Sequence, residues 1–140
     1  MSKQSKLKMQ FQFVYTRLNV RNFEACLYFY HELLGFDLTF VSKKDGCAEL
    51  NTGTTKLALL KRNNLEDVIG RANSVSYDKS NDGIALSFQV HDLDEVCKQL
   101  KTQAIKFVTN EPLSFPEWGF RSTFCRDPEG NLLEIQQIIS

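Results

Sequence analysis

The sequence carries no net charge: 17 lysines and arginines balance 17 aspartates and glutamates. A nucleic-acid-binding face needs a surplus of cations, so none is expected; a polybasic membrane anchor is excluded on the same ground. No stretch approaches the roughly 18 consecutive apolar residues of a membrane-spanning helix. The first ten residues, MSKQSKLKMQ, are basic and polar with no apolar run behind them, so a frayed tail over 1–11 is expected and a secretory signal is not. Cys26, Cys47, Cys97 and Cys125 form no C-x-x-C pair and lack zinc-ribbon spacing. They read as reduced apolar side chains of a cytoplasmic protein. P-loop, dinucleotide-fingerprint, Ser-His-Asp and Cys-His arrangements are all missing. What is present is 140 residues, 42% apolar and 24% charged, enough for one domain with its own core. Eleven phenylalanines point to strands and an aromatic-lined interior.

The chain repeats itself. Phe23, Cys26, Leu27, Tyr30 and Leu34 mark one stripe of an amphipathic helix, and Leu93, Val96, Cys97, Leu100 and Ala104 repeat it with an offset of 70. A strand precedes each helix: Val14, Thr16, Leu18 and Val20 alternate in the first half, Leu86, Phe88 and Val90 in the second. Asn22 and Asp92 are N-caps, with Glu95 placed to complete a capping box. Gly35 ends the first helix in a left-handed conformation. Strands are then expected at Phe36 to Ser42, Cys47 to Asn51 and Lys56 to Lys61. Their counterparts are Ile105 to Thr109, Arg121 to Arg126 and Leu132 to Ile138. Turns at Asn51 to Thr54 and Asp127 to Asn131 separate the last two strands of each half. Each half therefore reads β-α-β-β-β, an α+β pattern, with module 1 at 12–62, a polar linker and candidate lid at 63–82, and module 2 at 83–138. A short helical turn is expected near Leu65 to Ile69.

Three stretches resemble the vicinal oxygen chelate superfamily, which includes glyoxalase I, extradiol dioxygenases, and fosfomycin- and bleomycin-resistance proteins. They are Leu18 to Phe23, Phe29 to Phe36 (FYHELLGF) and Phe120 to Ile135, which contains RDPEGNLLEI. The resemblance covers residues 12–138. It implies a single domain of two βαβββ modules, each curling its sheet into half of a cup around a ligand cleft, and commonly a homodimer. Its metal-dependent members carry four ligands on the first and last strands of the modules. Those positions here hold Tyr15, Ala58, Ala85 and Glu134, of which only Glu134 is a conventional ligand. No metal or other cofactor is therefore expected; the alternative is a nickel, zinc, manganese or iron ion held by Glu134 with unusual partners.

Alternation assigns the cleft face. If the apolar positions face the helices, Phe13, Tyr15, Arg17 and Asn19 face the cleft from the first strand. Ala58 and Leu60 do so from the fourth, Ala85, Ser87 and Gln89 from the fifth, and Leu132, Glu134 and Gln136 from the eighth. The expected lining is Phe13, Tyr15, Arg17, Leu60, Ser87, Trp118, Arg121 and Glu134. Arg17 and Arg121 are candidates to grip an anionic or carbonyl group. Trp118 is a candidate to stack on a planar ligand at the mouth, or else fixes its own loop. Glu134 anchors a ligand, acts as a general base, or pairs with Arg17; it and Tyr15 are the weak catalytic candidates. His31 and His91 fall off the cleft. The expected function is sequestering or sensing a small molecule without a metal. The alternatives are a metal-dependent lyase or dioxygenase, and a protein-interaction module.

Overall fold

The computed structural model describes residues 9–10, 12–69 and 83–139. Most of the expected linker, 70–82, and most of the expected tail lie outside the described residues. The elements alternate as the repeat requires: β1 (Thr16–Val20), α1 (Phe23–Leu27), β2 (Asp37–Ser42), β3 (Cys47–Asn51), β4 (Lys56–Lys61), α2 (Arg62–Ile69), β5 (Ala85–Gln89), α3 (Leu93–Lys101), β6 (Leu113–Phe115), β7 (Phe120–Arg126) and β8 (Leu132–Ile138). Two four-stranded sheets result, ordered β1-β4-β3-β2 and β5-β8-β7-β6. In each, the first strand pairs parallel with the last and the remaining pairs are antiparallel.

The caps work as their residue types require. Asn22 Oδ1 accepts from the Ala25 N–H at 3.0 Å, and Asp92 Oδ1 from the Glu95 N–H at 3.1 Å. Glu95 does not close a capping box; its carboxylate accepts from Gln99 one turn on. The first helix widens after Leu27 into a π-helical stretch, Tyr28–Leu33, where the Leu34 N–H reaches back to the Phe29 carbonyl. Gly35 then takes φ +82°, and the Phe36 N–H closes on the Tyr30 carbonyl. His31 sits on the helix as expected, with Nδ1 2.7 Å from the Phe36 carbonyl.

Two further expectations fail. Ile105 to Thr109 is not a strand: one bridge, Phe107 to Cys125, ties it to β7, and the edge strand is the later Leu113–Phe115. Ala104 has φ +63° and breaks the extended run before it starts. The expected linker opens with a regular helix, Arg62–Ile69, longer than the turn anticipated there.

One core serves both modules. Val20, Phe23, Cys26, Leu27, Phe29, Tyr30, Leu50, Leu57 and Leu59 from module 1 join Leu93, Cys97, Leu100, Cys125, Leu133 and Ile135 from module 2. These are the helix-facing positions of the strands and the inner stripes of the helices. All four cysteines are free thiols, three of them buried. Burial pushes the Cys125 thiol up to about 11, with the Asp127 charge adding to it.

Polar contacts lock the modules together at the same seam. Tyr30 donates its hydroxyl to Asp127 Oδ2 at 2.6 Å, and the Asn22 N–H donates to Glu129 Oε2 at 2.9 Å. Arg62 reaches Glu129 at 3.7 Å, with both side chains largely buried. Burial, the Asp127 charge and its hydrogen bond push the Tyr30 phenol far above its ordinary range. The two modules thus meet through their helix sides, and their opposite sheet faces are left to other uses.

Candidate ligand-binding cup

Cross-strand register shows which side chains share the face opposite the helices, called here the cup face. On the first sheet, Arg17, Ala58 and Glu49 stand in one row and Asn19, Leu60 and Cys47 in the next. Phe40 extends the first row from β2. Arg17 is exposed, and its guanidinium has no partner among the described residues. Glu49 pairs with Lys56 at 3.7 Å. Ahead of β1, Phe13 and Tyr15 are exposed and lie outside any regular element.

On the second sheet, Ser87, Glu134 and Phe124 form one row and Gln89, Gln136 and Ser122 the next. Ser87 donates its hydroxyl to Glu134 Oε1 at 2.6 Å, and the Gln136 amide approaches the same oxygen at 3.5 Å. Glu134 Oε2 has no partner among the described residues. Glu134 is not paired with Arg17; the hydroxyl and amide beside it hold its carboxylate instead.

Two residues further along β8 from Gln136, Ile138 stands beside Phe120, which stands beside Phe115. Gly119, at φ +80°, returns the chain so that Trp118 lies over these rings. Trp118 stacks on Phe115 with centroids 5.7 Å apart and planes 13° apart, and on Phe120 at 6.3 Å and 22°. The indole is nonetheless 72% exposed, so the stack presents an open aromatic face.

Arg121 is not on this face. Its row runs through Gln137 on β8, and it donates two hydrogen bonds to Asp94 of α3, at 3.0 and 3.2 Å. Thr123 and Cys125, buried in the core, have the same strand parity, and that alternation was the signal that placed Arg121 with the helix. The structure therefore brings Ser87 and Glu134 into contact and adds Phe124 and Gln136 to them. It puts Arg17 and Leu60 on the other sheet, and Trp118 about four residues of strand, roughly 13 Å, beyond Glu134. Glu49, Phe40, Phe115 and Phe120 were missed. Glu49 was findable, since Ala48 and Leu50 on either side of it are core residues.

The Arg121 pair makes a pH-dependent contribution. The hydrogen bonds and charge of Arg121 hold the Asp94 carboxyl below its ordinary range. A carboxyl lowered on folding stabilises the native state above its unfolded value of about 3.9, and that contribution is lost as pH falls through the folded value. In Arg121→Gln the Asp94 midpoint, followed by carboxyl NMR, should rise toward the ordinary range. An unmoved midpoint would show that the pair does not persist in solution.

Ser122 offers a second check. Its Oγ is fully buried on the cup face with no hydrogen-bond partner among the described residues. Removing an unpaired buried hydroxyl removes a desolvation cost of about 1 kcal/mol or more. Ser122→Ala should therefore leave denaturant stability unchanged or raise it by about 1 kcal/mol; a clear loss would reveal a bound partner for the hydroxyl.

Two βαβββ modules with parallel first and last strands, each presenting an open face, define a class of cup-forming proteins. The family model for the glyoxalase/bleomycin resistance protein/dioxygenase superfamily matches residues 12–135, and the chain belongs to that superfamily. Among curated relatives, the uncharacterized protein YraH of Bacillus subtilis (strain 168) is 28% identical over 123 residues, covering 88% of this chain and 95% of the relative. A glyoxalase/bleomycin resistance protein/dioxygenase from Nocardioides superposes with a TM-score of 0.75 at 18% identity, covering 98% of this chain and 90% of that one. A lactoylglutathione lyase from Agrobacterium tumefaciens gives 0.67 at 20% identity, covering 90% and 92%. Both structural likenesses establish the fold.

Members of this superfamily often use a divalent metal, but the residues here do not fit one. Ala58 and Ala85 have no donor atom, Tyr15 is an uncommon ligand for a hard ion, and Glu134 alone supplies a carboxylate. Among the described residues no group of three or more His, Cys, Asp or Glu side chains is placed to hold a metal. In addition, no helix among them is long and apolar enough to cross a membrane.

Proposed function

We propose that the chain is a metal-independent small-molecule-binding protein that sequesters or senses its ligand, and that two copies form the site. The observation that carries this reading is the orientation of the modules. They share a core through their helix sides, linked by Tyr30 and Asp127, so each open cup face needs a partner from outside the chain. β1 and β5 are both sheet edges, and an unpaired edge is a template for strand addition. Pairing with a second copy places the Arg17 face of one chain opposite the Glu134 face of the other, as in the symmetric dimers common in soluble proteins. The assembled cleft offers a cation, a carboxylate and aromatic walls, a composition suited to small-molecule recognition. A cytoplasmic location accords with three buried thiols and no disulfide.

The test is metal content alongside ligand binding. Tag-free protein would be incubated with nickel, zinc, manganese and ferrous iron, then desalted. The expected result is metal well below one ion per chain, together with NMR shifts at Tyr15, Arg17, Ser87 and Glu134 on screening small-molecule fragments. Near-stoichiometric metal that disappears in Glu134→Ala would overturn the metal-independent reading.

A further inference from the structure

We infer that the groove beside β5 seats a segment of a second copy, the stretch Gln12 to Tyr15 that leads into its β1, so that two copies exchange arms. The inference rests on the two-copy reading above and names the contact that joins the copies.

Three observations carry it. First, the core shared by the modules stays open beside β5. A cavity of about 640 Å³ lies there, with an apolar floor that includes Leu34, Phe36, Phe88, Val96 and Ile135. The turn Thr52 to Thr55 borders it from module 1, and Ser87 to Val90 of the β5 edge border it from module 2. β5 pairs with β8 on one side and ends its sheet on the other, so the groove runs along backbone groups that a further extended segment can pair. Second, the chain carries an apolar segment that its own fold does not use. Phe13 is 80% exposed and Val14 68%, and both lie outside any regular element. Moving two such side chains from water into an apolar groove is favourable. Third, charge and length match. No described residue lining the groove is charged, and Met9 to Thr16 is an uncharged run between Lys8 and Arg17. A charged segment would lose its hydration in the groove with nothing to offset the loss. In extended form Gln12 to Tyr15 spans roughly 13 Å, as do the four β5 residues along the groove.

The arm continues directly into β1. Seating it therefore brings Tyr15 and Arg17 of one copy beside Ser87 and Gln89 of the other. A two-fold axis makes the exchange twice, so each cup draws part of its wall from the opposite chain.

Cross-linking on the full-length chain tests this. Phe13→Cys and Thr54→Cys each put a thiol at an exposed position, where the fold is not disturbed. The two variants are co-expressed, treated with a short bismaleimide, and the joined peptides identified by mass, which separates them from links through the half-buried Cys47. The expected product joins the two introduced thiols across chains. In sedimentation, the double variant Phe13→Asp, Val14→Asp should raise the dimer dissociation constant by about tenfold or more, with circular dichroism unchanged. A dimer that gives no such link and is untouched by the double variant would overturn the arm exchange. It would leave the two-copy reading standing and the groove to a small apolar ligand. A wild-type chain that sediments as a monomer would overturn both.

Discussion

Asp127→Ala should cost about 3 kcal/mol of stability and lower the melting temperature by on the order of 10 °C. Asp127 is 5% exposed, and both of its carboxylate oxygens are fully used. Oδ1 accepts from the backbone N–H groups of Glu129 and Asn131, each at 2.9 Å, which shapes the turn between β7 and β8. Oδ2 accepts from the Asn131 amide at 2.9 Å and from the Tyr30 hydroxyl at 2.6 Å. Alanine would leave two turn N–H groups without their acceptor and strand a phenol that has no access to solvent. Losing a buried acceptor costs the desolvation of each donor left behind, which is larger than the net worth of the bond itself. Tyr30→Phe removes only one donor and leaves Oδ2 with Asn131, so it should cost about 1 kcal/mol. The pair joins residues 97 apart in sequence, so it holds module 1 to module 2. Chemical denaturation of the two single variants and the double variant checks both size and coupling. A loss below about 1 kcal/mol for Asp127→Ala would mean that water replaces the network at little cost.

Gly46→Val should be nearly as damaging, at about 3 kcal/mol. Gly46 closes the turn between β2 and β3 at φ +68°, a region that favours glycine and is hardest on β-branched residues. A Cβ there would also lie 2.8 Å from the Cβ of Lys61. That contact cannot be relieved by rotating a side chain, because the Lys61 Cβ is fixed to the backbone. The Lys61 N–H donates to the Gly46 carbonyl at 2.7 Å, so moving the turn away breaks a hydrogen bond. Thermal melts of Gly46→Ala and Gly46→Val separate the two contributions: both share the positive φ and the close Cβ, and valine adds branching. Equal, small losses in both would show that the turn adopts another conformation.

The repeat made most of the fold legible. Helix stripes offset by 70 residues, the caps Asn22 and Asp92, Gly35 and the turn Asp127 to Asn131 all lie where local chemistry puts them. Local chemistry was ambiguous at Ile105 to Thr109, where an apolar run of strand length makes one bridge to β7 instead of a ladder. A three-residue strand between Pro112 and Pro116 has too few residues to show alternation. The site was harder to read, because a one-residue change of parity moves a side chain to the other face. Parity put Ser87 and Glu134 on one face, and the two are in contact. It was not applied at Arg121, whose neighbours Thr123 and Cys125 point to the core side. The Trp118 stack depends on Gly119 reversing the chain onto Phe115, a three-dimensional closure that residue spacing does not encode.

Sedimentation equilibrium of the purified chain at tens of micromolar decides whether the cup is built, since it has two facing walls only if two copies meet. The expected result is a single species of twice the 16.1 kDa chain mass, with Arg17→Glu and Glu134→Arg variants altering its dissociation. A monomer of 16.1 kDa at those concentrations would contradict it, because each chain would then present two separate open faces and no enclosed cleft.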